Sequence, residues 1–434
     1  MKRRTLLGAL GSAGLAWHGF AASNSNIAAS TRPAGQRVVI VGGGWAGLSA
    51  ARALRQSAPE LEVLVIDRAP LLRSLPLSNP WLVGCTPERL ARVDLAALAQ
   101  VLGYRFVAAE VQAIDRTLRQ VHTPQGRFDY DWLVLAAGID YNYAAWFGDD
   151  ARATAQTREQ FPAGFMASEL DLLKRQLDTF RGGDLVMTIP PPPYRCPPAP
   201  YERAMLIGWW LKNKRIPGKL TVIDAGAGIP RFNHLFAERY PDQIVHRPHS
   251  DGLAIDPFAR KLSTDEGEIH FKHALLLPPM QASALVAQSG LLGTNAQGQP
   301  TRWAGVDPLR LRSPVDERVY LVGDLIDTVS PLFGYYPKTA HVAARLGSAA
   351  ALQIAAHSRG QPPSPVALPQ SICHVWLDAD PAEQLIIDVQ YRQRGDGLIT
   401  QAVRQHNNPQ PRDEDLQWAR TLLADNLGVP DAGL

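Results

Sequence analysis

The spacing of apolar and polar residues predicts a strand, a glycine-rich turn, a helix and a second strand near the start of the chain. Arg37–Val41 is an apolar strand candidate that runs directly into the glycine-rich stretch Gly42–Gly47. The next apolar strand, Val63–Ile66, ends in Asp67. Strands joined through a helix pack side by side in a parallel sheet. Residues 36–70 therefore have the pattern that opens a doubly wound parallel sheet.

Short alternating segments follow this first unit. Arg105–Ile114, Gln120–His122 and Arg127–Tyr130 have the period of a β-meander. The chain then returns to an apolar strand, Trp132–Ala136, which is followed by Gly138. This return closes the first segment of a nucleotide-binding unit.

A second α/β unit and a smaller terminal unit are predicted for the rest of the chain. A proline-rich linker beginning at Gln361 separates the two. The predicted elements are strands at Asp184–Ile189, Leu220–Ile223, Arg318–Val322 and through Leu385–Arg394, with helices at Tyr201–Lys212, about Pro337 to Ala356, and Arg412–Leu427.

The first glycine-rich turn has the spacing of a dinucleotide-binding fingerprint. Gly42, Gly44 and Gly47 allow a tight turn and close approach of the backbone to a pyrophosphate. That group lies at the N-terminus of the following helix, which starts near Trp45. Asp67, at the end of the second strand, is placed to bind ribose hydroxyls. We therefore predict a bound dinucleotide.

Later positions specify that dinucleotide as FAD. Gly138 ends the returning strand, and Gly323 and Asp324 end the strand Arg318–Val322. In flavin enzymes of this build, an aspartate at that strand end binds the ribityl hydroxyls. Lys338 lies where the next helix points its N-terminus at the isoalloxazine. Asp324 has an alternative interpretation as an ordinary turn residue and helix cap, but the glycine fingerprint favours the flavin role.

Together these patterns predict an α/β fold with two Rossmann-like dinucleotide-binding domains, as in disulfide-reductase-like flavoproteins, plus a smaller α+β C-terminal domain. The FAD-binding domain is expected to span residues 36–160 and 300–358. A second Rossmann-like domain is expected at 161–299, and the C-terminal domain at 364–434.

The second Rossmann-like unit does not have the loop that a nicotinamide cofactor needs. After the strand Asp184–Ile189, the chain reads Pro190–Pro198, with Cys196 inside it. Proline has no N–H to offer a phosphate and holds φ near −65°, so this loop cannot cradle a pyrophosphate. The glycines of Asp224–Gly228 follow an acidic strand end and are interpreted as a turn. The chain is thus predicted to take electrons through sulfur and not from NADH.

Composition and the N-terminus bear on where this chemistry takes place. The 434 residues are 46% hydrophobic and 20% charged, and a net charge of +3 is too small to indicate nucleic acid. Basic Lys2-Arg3-Arg4 precedes the apolar run Leu6–Ala16 and small residues at 21–23, which indicates an export signal over residues 1–29. The arginine pair favours the twin-arginine route over an ordinary secretory signal or a short anchor. The apolar run is too short to span a bilayer, so we expect a soluble periplasmic protein without stable membrane insertion.

The cysteine content fits that compartment. Cys85, Cys196 and Cys373 suggest one disulfide and one spare thiol, although the pattern alone does not choose the pair. A disulfide beside a flavin can be attacked by a soft nucleophile such as hydrosulfide. The freed thiolate then delivers two electrons to the flavin as a charge-transfer adduct. No metal site is predicted.

From about residue 36 onwards the chain resembles the flavoprotein subunit of flavocytochrome c sulfide dehydrogenase. The strongest match is Arg195–Arg203, which reads RCPPAPYER where the family has RCPPGPYER. Supporting matches are Leu77-Ser78-Asn79, Val306-Asp307-Pro308, Val322-Gly323-Asp324, Ser371-Ile372-Cys373, Trp418 and the closing Asp425–Gly428.

The resemblance implies a role for each of several matching residues. Cys196 and Cys373 form the active disulfide, and Glu202 is the proton carrier. Trp418 lies near the flavin. The alternative interpretations are a structural disulfide, a solvated acid in the first turn of a helix, and a packing tryptophan. Cys85 remains the spare thiol.

One departure from the family concerns the flavin tether. The family commonly tethers FAD through a cysteine two positions before Leu77, where this chain has Leu75. Leucine forms no thioether, so FAD is expected to be non-covalent.

No C-x-x-C-H haem motif occurs in the sequence, so the chain is expected to carry no haem of its own. An exported flavoprotein implies a separate c-type cytochrome, either a haem subunit or a soluble cytochrome c, as the partner. That partner would accept the electrons that come from a small sulfur substrate. Two alternatives stay open: a sulfide:quinone oxidoreductase-type enzyme, and a catalytically silent flavoprotein that acts as a binding or maturation partner. The acidic residues of the final helix disfavour the sulfide:quinone oxidoreductase type, whose last helices enter a membrane surface. The retained cysteines disfavour the catalytically silent flavoprotein.

Overall fold

The computed structural model describes residues 36–86, 90–250, 252–362 and 364–429. The predicted export signal at 1–29 lies outside these ranges, as do the last residues, 430–434, of the predicted C-terminal domain.

Strands and helices alternate through most of the described chain, as the apolar pattern predicts. Up to residue 160 the elements are β1 Arg37–Val41, α1 Trp45–Ser57, β2 Glu62–Asp67, β3 Leu71–Arg73, α2 Ser78–Val83, β4 Arg92–Asp94, α3 Leu95–Leu102, β5 Arg105–Ala108, β6 Ala113–Asp115, β7 Gln120–Thr123, β8 Gly126–Asp129, β9 Trp132–Leu135, β10 Ile139–Tyr141, α4 Ala144–Phe147 and α5 Ala151–Gln160. From there to residue 299 they are α6 Leu170–Thr179, β11 Leu185–Ile189, α7 Ala199–Asn213, β12 Leu220–Asp224, α8 Pro230–Arg239, β13 Ile244–Arg247, β14 Ala254–Asp256, β15 Lys261–Thr264, β16 Gly267–His270, β17 His273–Leu275, β18 Met280–Ala282, α9 Ala284–Gln288 and β19 Leu292–Thr294. The remaining elements are β20 Pro300–Ala304, β21 Arg312–Ser313, β22 Asp316–Leu321, α10 Ala340–Ser358, β23 Ser371–Ala379, β24 Ala382–Gln393, β25 Ile399–Asn408 and α11 Glu414–Leu427.

The main sheet has the strand order β21-β22-β9-β1-β2-β5 within the described residues. All neighbours are parallel except β21, which pairs antiparallel with β22. β1 is buried along its whole length because it has a parallel neighbour on each side and helices on the sheet faces. The predicted meander is wrong in its first part: β5 pairs parallel with β2, and the meander consists of β6, β7 and β8.

Helices α1 and α10 cross on one face of this sheet with almost no space between their backbones. A Cβ placed on Gly347 in α10 would lie 2.0 Å from the carbonyl oxygen of Ala46 in α1. Only glycine allows this approach, which brings the N-termini of both helices to the same edge of the sheet.

A second parallel sheet has the order β13-β12-β11-β17. The proline-rich segment connects β11 to α7, and residues 225–229 form the connection from β12 to α8. That second segment therefore opens a strand–helix unit, so its interpretation as a simple turn is wrong. The small antiparallel sheet β14-β15-β16 follows.

The C-terminal part is an antiparallel sheet, β23-β24-β25, with α11 packed beside β23. β23 also packs against α7 of the second Rossmann-like unit. The predicted fold class is therefore confirmed: α/β, with two Rossmann-like parallel sheets and a smaller α+β C-terminal part.

Candidate active site

One cavity lies where the carboxyl ends of the main strands, the proline-rich loop and the C-terminal sheet meet. Most of the predicted site residues line it. They are Gly44, Trp45, Gly138, Cys196, Glu202, Gly323, Asp324, Lys338, Cys373 and Trp418, together with Leu75. Gly42, Gly47 and Asp67 are not among the lining residues.

The three fingerprint glycines have two different physical roles. A Cβ on Gly42, whose φ is +112°, would lie 2.4 Å from the carbonyl oxygen of Ala136, and one on Gly47 would lie 1.9 Å from that of Gly42. These two glycines therefore permit the close packing of β1, β9 and α1. A Cβ on Gly44 would meet no described atom within 4 Å. Gly44 thus borders open space at the N-terminus of α1, which fits a bound pyrophosphate.

Asp67 fixes the shape of the glycine turn. Its Oδ2 accepts a hydrogen bond of 2.5 Å from the amide of Gly43, and its Oδ1 accepts one of 2.7 Å from the amide of Ala69. The carboxylate therefore lies at the turn, where the sequence predicts a ribose-binding acid.

Asp324 and Lys338 are held together beside the cysteine loop. The Nζ of Lys338 donates hydrogen bonds to the carbonyl oxygens of Asp324 (2.7 Å) and Ile326 (3.0 Å) and lies 3.8 Å from the ring centroid of Trp303. Burial lowers the pKa of Lys338 to about 7. The Asp324 carboxylate accepts a 2.8 Å hydrogen bond from Nε of Arg195, a charged partner that the sequence analysis did not predict.

Helix α10 begins at Ala340 and not near Pro337, because Thr339 is its N-cap. The hydroxyl of Thr339 accepts a 3.4 Å hydrogen bond from the amide of Val342. Lys338 therefore lies before the helix, where its side chain can turn toward Asp324.

Cys196 has an unusual backbone conformation that ties the proline-rich loop to the FAD-binding segment. Its φ is +51°, a left-handed value that non-glycine residues seldom adopt. The amide of Cys196 donates to the carbonyl of Lys338 (3.0 Å), and its carbonyl accepts from the amide of Ala199 (2.8 Å). The side chain is thereby held at the cavity, at the entrance to α7.

Cys373 reaches the same cavity from the first strand of the C-terminal sheet, where it pairs with Ile387 of β24. All three cysteines carry free thiols in this structure. Burial is the main cause that raises the pKa of both Cys196 and Cys373, and a charge on Glu202 raises each further. The structure brings the two predicted partners together as uncharged thiols, so the disulfide itself stays a prediction.

Glu202 lies in the first turn of α7, and its carboxyl is bound from two other elements. Its Oε1 accepts a 2.8 Å hydrogen bond from the amide of Trp376 in β23, and its Oε2 accepts a 2.5 Å hydrogen bond from Nδ2 of Asn79 in α2. Burial raises the pKa of Glu202 to about 7, against the opposing effect of these hydrogen bonds. The carboxyl can therefore exchange a proton near neutral pH.

Three further predicted positions have simple environments. Leu75 places an apolar side chain in the cavity lining. Cys85 is outside the lining, and burial, with Asp378 and Glu202 nearby, raises the pKa of its thiol to about 12. The ring of Trp418 lies 5.5 Å from that of His374, and its Nε1 has no hydrogen-bond partner among the described residues.

The sequence analysis missed several residues that position this site. Arg195 precedes the predicted Cys196, and Arg203 follows the predicted Glu202. Asn79 belongs to the motif Leu77-Ser78-Asn79. These neighbouring predictions are the signal by which the three residues could have been found. His341 and His374 also line the cavity; His374 is adjacent to the predicted Cys373, whereas no sequence pattern indicates His341.

No group of three or more His, Cys, Asp or Glu side chains in the described ranges could hold a metal ion. None of the helices in these ranges is both long and apolar enough to cross a membrane.

Comparisons with known proteins bear directly on this geometry. Residues 170–277 match the family model for the central part of the flavoprotein chain of sulfide dehydrogenase (flavocytochrome c). Residues 36–160 match the model for pyridine nucleotide-disulphide oxidoreductases.

Individual relatives show the same kinship. The sulfide-quinone reductase of Aquifex aeolicus is 24% identical over 273 residues, which are 59% of this chain and 61% of that protein. A type II NADH:quinone oxidoreductase of Staphylococcus saprophyticus is 31% identical over 111 residues, which are 24% of this chain and 27% of that protein. The chain therefore spans less than two thirds of the length of either curated relative.

Among solved structures, the sulfide:quinone oxidoreductase of Aquifex aeolicus superposes with a TM-score of 0.72 at 20% identity, covering 91% of this chain and 92% of that one. The resemblance predicted from the sequence is thus confirmed: the central part of the chain matches the flavoprotein chain of flavocytochrome c sulfide dehydrogenase, its first part matches pyridine nucleotide-disulphide oxidoreductases, and the chain is similar to a sulfide-quinone reductase.

Proposed function

We propose that the chain is a periplasmic FAD-dependent sulfide dehydrogenase subunit. It oxidises sulfide or a related sulfur species at a Cys196–Cys373 disulfide and passes the electrons through FAD to a c-type cytochrome. The observation that carries the proposal is the convergence of Cys196, Cys373 and Glu202 in one cavity with the glycine turn. Export through residues 1–29 is part of the proposal and rests on the sequence.

The lining residues fit FAD. Gly44 leaves space for the pyrophosphate at the N-terminus of α1, and Asp324 and Lys338 border the part of the cavity nearest the cysteines. Bound FAD would supply a two-electron acceptor that can release its electrons one at a time. Because Leu75 forms no thioether, we propose that the cofactor is held non-covalently.

The residues of the chain account for the sulfur chemistry. The sulfur of hydrosulfide attacks one sulfur of the disulfide, and a new S–S bond forms as the Cys196–Cys373 bond breaks. The attacked cysteine becomes a persulfide, and the other leaves with the bonding electron pair as a thiolate. Burial disfavours that thiolate. Glu202, which is protonated below about pH 7, can donate a proton to it during the attack and would take that proton back when the thiolate passes its electrons to bound FAD.

A second electron acceptor has support from the comparisons. The sulfide:quinone oxidoreductase of Aquifex aeolicus shares the fold over 91% of this chain, which makes a quinone the alternative to a cytochrome. Comparing the reoxidation of the reduced protein by oxidised cytochrome c and by a soluble quinone analogue separates the two. Reoxidation by the quinone alone would contradict the cytochrome proposal.

The proposed function is tested by anaerobic titration of the purified protein with sulfide while the visible flavin band is recorded. We expect the native protein to bleach, and Cys196→Ser and Cys373→Ser to retain FAD but not to bleach, because neither variant can form the disulfide. Cys85→Ser is the matched control and should bleach like the native protein, since Cys85 lies outside the cavity lining. Full bleaching in both serine variants would contradict the disulfide mechanism. A native flavin that stays oxidised would favour the silent binding partner.

A further inference from the structure

Asn79 occupies the centre of a buried network around Glu202. It is 5% exposed and lies in the short helix α2, far along the chain from α7. Its Nδ2 donates to the carbonyl oxygen of Ala199 at 2.9 Å and to Oε2 of Glu202 at 2.5 Å. Its Oδ1 accepts a 2.8 Å hydrogen bond from Nε of Arg203. One amide therefore connects the start of α7, the carboxyl and a guanidinium.

Arg203 is a buried cation without a direct carboxylate partner in this network. It is 2% exposed, and its guanidinium donates to the carbonyl oxygens of Ala163 and Gly164 and packs 4.2 Å from the ring centroid of Phe165. An arginine beside a buried glutamate ordinarily forms a bidentate ion pair with it. Here the amide of Asn79 lies between the two groups and bonds to both.

This arrangement has a consequence for the chemistry of Glu202. An ion pair with Arg203 would keep the carboxylate charged and prevent it from donating a proton near neutral pH. We propose that Asn79 is a positioning residue of the site: its side-chain amide orients the Glu202 carboxyl in the cavity of Cys196 and Cys373 and separates that carboxyl from Arg203. The inference deepens the proposed function and rests on it for its catalytic meaning.

The other groups that face Glu202 are accounted for. The thiols of Cys85, Cys196 and Cys373 lie near it, and Arg203 of α7 and Asp415 of α11 act on it electrostatically, with Arg203 lowering and Asp415 raising the pKa of Glu202. The thiols are neutral because burial raises their pKa. Asp415 accepts a 3.0 Å hydrogen bond from Nε1 of Trp376, so it acts on Glu202 only at a distance. Asn79 is therefore the side chain that contacts the Glu202 carboxyl directly.

The inference is tested with the variant Asn79→Leu, which keeps the branched shape and the number of heavy atoms of the side chain but removes its donor. The leucine side chain still separates Arg203 from Glu202. The hydrogen bond from Asn79 to Glu202 is lost, and with it the stabilisation that this bond gives the ionised carboxylate. We expect Glu202 to remain protonated to a pH about one unit higher, the tenfold change that corresponds to one lost charge-assisted hydrogen bond. Asn79→Asp, which replaces the donor by a second carboxylate, should move the titration in the same direction.

The readout is the infrared carbonyl band of the protonated carboxyl, followed through a pH titration of the FAD-loaded protein and assigned by its loss in Glu202→Gln. Asn233→Leu is the matched control, because the amide of Asn233 also donates to a backbone carbonyl, that of Ala227, but lies outside the cavity lining. Its band should titrate as in the native protein. Unchanged titration in both Asn79 variants would overturn the inference.

The infrared measurement uses no substrate, so the two ideas can fail separately. A native flavin that sulfide does not reduce would contradict the proposed function and leave the titration of Glu202 to decide the role of Asn79. Asn79→Leu should also retain bound FAD and the native Tm to within a few degrees if it folds normally. Asn79→Asp, which preserves the shape of the side chain, provides the result if the leucine variant does not fold.

Discussion

Burial controls the chemistry of the single residues in this cavity. It raises the pKa of the Cys196 and Cys373 thiols and that of Glu202, so all three groups tend toward their neutral forms. For the two thiols this favours the protonated form over the thiolate. For Glu202 it produces an acid that gains and loses a proton near neutral pH, which is the range in which a proton carrier is useful.

The pH dependence of sulfide oxidation should therefore report the protonation of the Glu202 carboxyl. Because its pKa is raised from 4.5 to about 7, the carboxyl is protonated below pH 7 and loses its proton as the pH rises through that value. The quantity to compare is the rate of flavin reduction in the native protein divided by the rate in Glu202→Gln. We expect this ratio to be constant below pH 6 and to fall about tenfold per pH unit well above pH 7. The ionisation of sulfide is the same for both proteins and cancels in the ratio. Stopped-flow measurements between pH 5 and 9 check this, and a ratio independent of pH would rule out proton donation by Glu202.

At the scale of elements, the position of Cys373 depends on how β23 is attached to the second Rossmann-like unit. Asp378, at the end of β23, is 2% exposed and accepts hydrogen bonds from Arg239 Nη1 (2.9 Å) and from the Tyr240 hydroxyl (2.5 Å). Arg239 also bonds to Glu383 of β24 at 2.6 Å. The end of α8 thus holds the first hairpin of the C-terminal sheet.

Removing this attachment should destabilise the protein markedly. Asp378→Ala leaves the Tyr240 hydroxyl unpaired and Arg239 without one of its two carboxylates, so we expect the free energy of unfolding to fall by about 3 kcal/mol. Glu268→Ala is the control, because its 2.7 Å ion pair with Lys261 lies at the surface, so this variant should lower the free energy of unfolding far less than Asp378→Ala does. Denaturant unfolding of the FAD-loaded proteins measures both. Equal losses would mean that the contact with α8 does not anchor β23.

The elements that sequence pattern predicts well are those buried on both faces. β1 was predicted with its observed bounds because a strand between two parallel neighbours is apolar throughout. The prediction for β5 is wrong because the strand is short and its residues are partly buried or exposed, so its pattern looks the same in a meander and at the edge of a parallel sheet. β25 was not predicted, since most of its residues are exposed and polar and carry no apolar period.

At the scale of the whole molecule, the sequence predicts which segments contribute to the candidate site but not how these segments contact one another. The glycine turn and the residues around Cys196 have local signatures. The contacts Asn79 to Glu202 and Arg195 to Asp324 join segments more than a hundred residues apart, and no local spacing encodes them. FAD would lie at this junction, in contact with the main sheet, the proline-rich loop and the C-terminal sheet.

A cofactor held only by contacts at that junction should stabilise the molecule by mass action. A non-covalent ligand that binds the folded chain alone adds about 2.7 kcal/mol to the free energy of unfolding at a free concentration of 100 times its Kd, whereas a tethered one adds nothing further. We therefore expect Tm to rise with added FAD but not with added FMN, which lacks the adenylate half and the pyrophosphate for which Gly44 leaves space. Acid precipitation should likewise release the flavin into the supernatant, because Leu75 forms no thioether. Flavin that stays with the precipitated chain, together with a Tm independent of FAD, would show that another residue supplies a covalent link.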